Sequence, residues 1–204
     1  MIVDKINNIK GFMPAHEGEA LTKWAYEFSI KAPIIEIGSY CGKSSMYLAR
    51  GARKNNQHVF TIDHHKGSEE HQINEEYFDK DLYDFSKKRI NTFPELIKNI
   101  NNLKFENIVP IVSESTEVAK NWSTDLGMVF IDGGHSIKSA MNDYNNWELK
   151  ILKGGALVIH DIFENPNEGG QAPYEVYKKA IKNDYTIYER VDTIACLIKN
   201  GLIT

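Results

Sequence analysis

Five side chains able to do acid, base or ligand chemistry stand at the ends of short apolar runs. They are Glu36 in "APIIEIG", Asp63 closing "HVFTID", Asp132 closing "GMVFID", and His160 with Asp161 closing "GALVIHD". Carboxylates withdrawn from water cost several kcal/mol each unless paired or coordinated, so four on one rim call for a shared cationic or hydroxyl-rich ligand. The stretch "IIEIGSYCGKSSMYLA", residues 34–49, adds two glycines and three serines to the acid at a strand-to-helix junction. Gly38 and Gly42 flank a turn that lets a ligand approach the backbone, while Lys43, Ser44 and Ser45 open a helix whose free N–H groups attract polar or anionic groups. The dinucleotide fingerprint G-x-G-x-x-G is absent, and Glu36, two residues before the first glycine, would repel a pyrophosphate. That carboxylate suits an ammonium group or a ribose hydroxyl, and Asp63 is placed to accept two hydrogen bonds from a ribose. The expected ligand therefore carries a ribose and a positive charge but no diphosphate.

A row of strand ends needs a sheet to hold it. The runs ending at Gly38, Asp63, Val112, Asp132 and Asp161 are short, branched and nearly continuously apolar, as strands covered on both faces are. Between them the spacing is helical: Met46, Leu48, Ala49 and Ala52; Phe93, Leu96, Ile97, Ile100 and Leu103; Val118, Ala119 and Trp122; Ile137, Ala140, Met141, Tyr144 and Trp147. An upstream helix with Leu21, Trp24, Ala25 and Phe28 on one face stops before Pro33, and "TFPE" at 92–95 predicts a helix start capped by Thr92. "APYEVYKKAI" predicts a further helix, and "YTIYERV" with "TIACLI" a closing hairpin. The alternation implies an α/β, Rossmann-like, doubly wound and mostly parallel seven-stranded sheet, with helices on both faces and an antiparallel C-terminal strand. Residues 1–204 read as a single domain, with an N-terminal helical segment over 1–32 and an insertion over 64–91. That insertion is long for a crossover connection, which is usually about 2–6 residues, and reads either as a lid or as an extra surface helix carrying Phe78, Leu82 and Phe85.

Composition narrows the partners. With 24 basic against 28 acidic residues, a net charge of −4 and no basic cluster, the chain lacks the footprint a nucleic acid requires. Two cysteines, Cys41 and Cys196, are too few for a disulfide scaffold and fit a reducing cytoplasm. No segment reaches the ~18 uninterrupted apolar residues of a membrane span. The N-terminal segment and the insertion are plausible contacts for a homodimer.

The ordered motifs "EIGSYCGKSS", "TIDHH", "VFIDGGH" and "GGALVIHD" resemble those of class I S-adenosylmethionine-dependent methyltransferases. The likeness is to the metal-dependent branch that includes catechol O-methyltransferase and small bacterial sugar and macrolide-sugar O-methyltransferases, and it runs from about Pro33 to Ile181. "DHHKGSEEHQ", "FIDGGH" and "GGQAPYEVYKKA" are most similar to enzymes methylating a sugar hydroxyl, such as 1-O-methyltransferases acting on mannose oligosaccharides. The resemblance implies that Glu36, Gly38, Ser39, Tyr40, Gly42 and Ser44 hold the methionine moiety and its turn. It further implies that Asp63, with His64 beside it, holds the ribose, that Ser115 lies by the adenine, and that Asp132 adjoins the cofactor. Asp132 and Asp161 match the two aspartates that bind a divalent cation, with Mg²⁺ favoured by oxygen ligands. Ile162 stands where the catechol enzymes place a side-chain amide, so His160, a water or the substrate completes the set.

Methyl transfer to an alcohol oxygen needs that oxygen activated and aimed. A cation at Asp132 and Asp161 supplies both, and His135, whose ordinary pKa of about 6.5 lies near working pH, is the candidate proton acceptor, in the position of the catechol branch's lysine base. The acceptor is expected to be a small-molecule hydroxyl, of a sugar in preference to a phenol. Two readings from other classes compete: a nicotinamide-dependent oxidoreductase, and a domain that binds the nucleotide without doing chemistry.

Overall fold

The computed structural model describes residues 2–68, 73, 75, 78–134 and 136–200. Its strands are β1 (Ile34–Ile37), β2 (Val59–Asp63), β3 (Tyr83–Asp84), β4 (Arg89–Ile90), β5 (Ile108–Val112), β6 (Leu126–Ile131), β7 (Ile151–Ile159), β8 (Tyr185–Val191) and β9 (Ile194–Lys199). Seven of them form one sheet in the order β5-β2-β1-β6-β7-β9-β8, and β3 and β4 form a separate two-residue ladder inside the insertion. The β5-β2-β1-β6-β7 ladder is parallel throughout, while β9 runs antiparallel to both β7 and β8. The expected hairpin thus forms, but its second strand inserts between β7 and its own partner. Strand order reverses at β1, which pairs with β2 on one side and β6 on the other, and a crevice opens beyond the carboxyl ends at such a switch point.

Both sheet faces are apolar, and residue parity assigns each side chain to one of them. Ile34, Val59, Met128, Phe130, Ala156, Val158, Ile194 and Cys196 pack with the helices α1 (Ile2–Asn7), α2 (Ala15–Phe28) and α3 (Lys43–Ala52), joined by Ile100 and Leu103 of α4 (Phe93–Leu103). Ile35, Ile37, Val129, Ile131, Leu157, Ile159, Ala195 and Leu197 pack on the opposite face with α5 (Ser115–Asn121), α6 (Ile137–Trp147) and α7 (Ala172–Lys182). Because both parities are buried, the strands read as continuous apolar runs without polar alternation. The same parity puts Glu36 on the face covered by α3.

The expected Thr92 cap does not form. Thr92 lies at φ −85° and ψ −16° with no side-chain bond to the helix, and its hydroxyl is 2.6 Å from Nδ1 of the buried His65. The Thr92 amide also donates to the His65 carbonyl at 3.3 Å, so the two ends of the insertion are joined at its neck and the hydroxyl is taken there. The insertion is clasped from outside as well: Lys10, between α1 and α2, reaches Asp79 at 2.6 Å and Asp81 at 2.9 Å. Residues 69–72, 74, 76 and 77 lie outside the described residues, and with them that part of the lid expectation. Among the described residues no helix is long and apolar enough to cross a membrane.

Candidate active site

The loop after β1 sits at the switch point, and two glycines shape it. Gly38, at φ +89°, faces the Asp132 carbonyl so closely that a Cβ there would lie 2.1 Å from the oxygen. Gly42, at φ +91°, is closed in by Leu96, whose Cδ1 would lie 2.5 Å from such a Cβ. Sequence reasoning assigned both glycines to ligand approach, whereas the space they leave is filled by the chain itself. Between them Tyr40 also adopts a left-handed φ of +47°.

Asp63 organises this loop from the neighbouring strand. One of its oxygens accepts from the amides of Ser39 at 3.1 Å and Tyr40 at 2.9 Å, and the other from the His65 amide at 2.7 Å. A carboxylate offers about four acceptor positions, so room for a ligand hydroxyl remains. His64, beside it, lines the cleft and accepts from the Lys66 amide at 3.0 Å. Ser39 is buried and its hydroxyl has no hydrogen-bond partner among the described residues, although the residue lines the cleft. Orphaned buried hydroxyls are uncommon in native proteins, and one at a cleft wall fits a ligand contact.

Glu36 is placed differently from the expectation. It is 0% exposed, is not part of the cleft wall, and takes hydrogen bonds from the hydroxyls of Ser44 (2.6 Å) and Ser45 in the first turn of α3. Burial pushes its carboxyl up to about 7, outweighing the two serines that favour the charged form, with the nearby Asp132 charge adding to the rise. Glu36 therefore acts from beneath the loop, holding Ser44, which does line the cleft.

The carboxyl ends of β6 and β7 bring Asp132, His160 and Asp161 together. His160 is 3% exposed; its Nδ1 is 2.9 Å from an Asp132 oxygen and 3.6 Å from an Asp161 oxygen, and its Nε2 is 2.9 Å from Glu17 of α2. Burial would lower the pKa of this imidazole, but the surrounding carboxylates, Asp132 first, raise it well above the ordinary 6.5. Asp161 adopts φ +57°, a conformation that costs a non-glycine residue roughly 1–3 kcal/mol and persists where surrounding structure fixes it. One ligand atom from each of Asp132, His160 and Asp161 falls within 4.8 Å of the others, which is the compactness a bound ion requires. Three carboxylates, Glu17 included, surround one imidazole and hold protons on its ring, so a divalent cation bound here would take the place of the Nδ1 proton.

Ser115 opens α5, and its hydroxyl accepts from the Trp147 indole at 2.8 Å while the residue lines the cleft. Asp143 of α6, which sequence reasoning missed, also reaches the cleft wall although only 5% exposed. Burial pushes its carboxyl up to about 6, against the favourable Ser115 hydroxyl. Glu17 was missed as well. Both acids occupy positions in their helices' apolar stripes, Asp143 between Ala140 and Trp147 and Glu17 four residues before Leu21, and a polar residue within such a stripe is the signal that could have found them. His135 lies outside the described residues.

Gly38, Ser39, Tyr40, Ser44, Asp63, His64, Ser115, Asp132, His160 and Asp161 thus converge on one open cleft of about 1200 Å³, while Gly42 and Glu36 shape it from behind. Pockets for small molecules usually measure about 300–1,000 Å³, and this cleft exceeds that range.

A strand order reversing at β1, a glycine-bearing loop there and acids on the adjacent strand ends mark a Rossmann-like fold with its ligand site at the switch point. A family described as a methyltransferase domain matches residues 35–162, which takes in every site residue above except Glu17 of α2. The chain belongs to this methyltransferase family, and the nicotinamide-oxidoreductase alternative is set aside with it. Solved structures share the fold at low identity. An O-methyltransferase from Bacillus cereus in complex with SAH is 14% identical, with a TM-score of 0.63 over 97% of this chain and 90% of that one. The O-methyltransferase TomG from Streptomyces achromogenes, involved in tomaymycin synthesis and solved with SAM, is 17% identical, with a TM-score of 0.62 over 93% and 82%. Cofactor-bound Rv0187 from MTB is 14% identical, with a TM-score of 0.67 over 98% and 87%.

Proposed function

We propose that this methyltransferase uses S-adenosylmethionine and a divalent cation, Mg²⁺ by preference, to methylate a hydroxyl of a small molecule, a sugar or glycoside before a phenol. The observation that carries the reading is the meeting of two differently built halves in one cleft: the loop held by Asp63 and Glu36, and the compact Asp132, His160 and Asp161 cluster. SAM or SAH stands in two of the structural relatives, and both are O-methyltransferases.

In this reading the Ser39 hydroxyl and the first amides of α3, that of Ser44 included, take the carboxylate of the methionine moiety, since helix N-termini favour anions, while the Ser44 hydroxyl is given to Glu36. Asp63 receives the ribose hydroxyls at its remaining acceptor positions, with His64 beside it. Ser115 lies toward the adenine. Asp63 holds the Ser39 and Tyr40 amides, and Gly38 lies against the Asp132 carbonyl beyond β6, so the loop that would carry the donor is tied to both neighbouring strand ends.

Asp132, His160 and Asp161 fit a divalent cation by donor type and mutual distance. When bound, such a cation acts as a Lewis acid that makes an acceptor hydroxyl more acidic and fixes its direction. The residues of the chain then exclude water and orient the acceptor. His135, three residues past Asp132, remains the proposed proton acceptor on the strength of its sequence position. The cleft is lined by Lys138, Ser139, Asn142, Asn167 and Glu168 as well as by Phe12, Phe163 and Pro173, and in this reading the polar members serve a hydroxyl-rich substrate.

A methyl-transfer screen across sugars and phenols, with SAM and Mg²⁺ and again with a chelator, tests this. Turnover on a sugar that disappears with chelator is the expected result; turnover indifferent to chelator overturns the metal, and turnover on phenols alone overturns the substrate class.

A further inference from the structure

The strand-end cluster has a second layer that the family match does not reach. Glu17, in the first turn of α2, is 0% exposed. One of its oxygens accepts from both the amide and the hydroxyl of Thr193, each at 2.8 Å, in the turn between β8 and β9. Its other oxygen faces His160 Nε2 at 2.9 Å. His160 therefore spends one ring nitrogen on Glu17 and presents the other to Asp132 and Asp161. Glu17 and Thr193 both lie outside residues 35–162, so α2 and the closing hairpin supply this layer to the matched core.

A purely structural purpose accounts poorly for the arrangement. Among the described residues no lysine or arginine reaches Glu17, and replacing a buried ionic contact by apolar side chains of similar volume is often neutral or stabilising. What a fully anchored carboxylate does provide is direction. With two bonds from Thr193 fixing one oxygen, the other has a single orientation available, and the imidazole plane follows it.

We propose that Glu17 is a positioning residue: anchored by Thr193, it locks the His160 ring so that Nδ1 faces the cation site formed with Asp132 and Asp161. The proposal rests on the divalent-cation reading given above. Carboxylates that orient a metal-binding imidazole through its far nitrogen are a general device, and their loss typically costs about 10–100-fold in metal affinity.

The test is Mn²⁺ binding to the full chain, followed by the electron paramagnetic resonance of free and bound ion, with SAM affinity measured by calorimetry on the same samples. The native chain should bind Mn²⁺ with a nitrogen coupling from the ring; Glu17→Gln should bind it about 10–100-fold more weakly with that coupling altered, and keep its SAM affinity within about 3-fold. Thr193→Val, which leaves Glu17 in place with one anchor fewer, should weaken Mn²⁺ in the same direction by less, and it decides the matter if Glu17→Gln does not fold. Equal Mn²⁺ affinity and an unchanged nitrogen coupling in the variants overturn the role of Glu17, as does a loss of SAM affinity matching the loss of Mn²⁺. Asp132→Asn separates the two ideas: if it abolishes Mn²⁺ binding while Glu17→Gln leaves the Mn²⁺ affinity unchanged, the cation site stands and the positioning role falls. A native chain that binds no Mn²⁺ overturns both.

Discussion

Replacing Glu36 by glutamine tests the electrostatics of the loop most directly. The native carboxyl is fully buried, its partners are neutral hydroxyls, and burial carries it from an ordinary 4.5 to about 7. Such a group keeps its proton in the folded chain after the unfolded chain has lost it. Its contribution to stability is complete below pH 4.5 and is lost progressively as pH rises through about 7. At about 1.4 kcal/mol per pH unit, that interval corresponds to about 3 kcal/mol. Glutamine has nearly the same shape and no charge, and the serine hydroxyls can rotate to serve its amide. Urea unfolding of both proteins between pH 4 and 8 gives the relevant quantity, the stability of Glu36→Gln minus that of the native chain. Subtraction cancels groups common to both, including Asp143, whose raised carboxyl titrates in an overlapping range. The difference should grow in the variant's favour by about 3 kcal/mol from pH 4.5 to just above 7, which at a slope of roughly 1–3 kcal/mol per molar urea moves the midpoint by about 1 M or more. A difference that stays flat across this range refutes the claim that burial governs this carboxyl. A difference that changes only below pH 4.5 refutes its sign.

The two loop glycines should differ in cost: Gly38→Ala meets backbone and should lose at least about 3 kcal/mol, whereas Gly42→Ala meets the movable end of Leu96 and should lose about 1–2 kcal/mol for its left-handed φ, both read from thermal or urea melts. Equal losses would mean that the Asp132 carbonyl gives way. Ser115→Ala strands the Trp147 indole N–H and should cost about 1–3 kcal/mol, with a weaker SAM affinity in calorimetry. Asp132→Asn should abolish methyl transfer and divalent-cation binding while SAM binding survives, and loss of all three together would assign Asp132 to the fold instead of the chemistry. His135→Ala should lower kcat far more than it raises KM, and a change confined to KM would make it a binding residue.

How far the site could be read ahead of the structure depended on whether a residue's purpose was local. Strand ends, the α/β alternation and the acids at Asp63, Asp132 and Asp161 follow from local signals, since apolar run length, the carboxyl-end rule and chain order involve few residues each. Parity within "IIEI" already turns Glu36 to the opposite side from Ile35 and Ile37, yet only the seating of α3 over that face made it a buried carboxyl under Ser44 and Ser45 instead of a ligand contact.

What the sequence determined by itself was therefore the order of elements and the rim on which the chemistry stands, because both are written in short-range patterning. Tertiary structure decided the partners: that Gly38 yields to a carbonyl of Asp132, that Thr92 gives its cap to His65, and that Glu17, 143 positions away, meets His160. Those pairings depend on how the ends of separate strands and helices pack at one edge of the sheet, and no spacing along the chain encodes a distance across it.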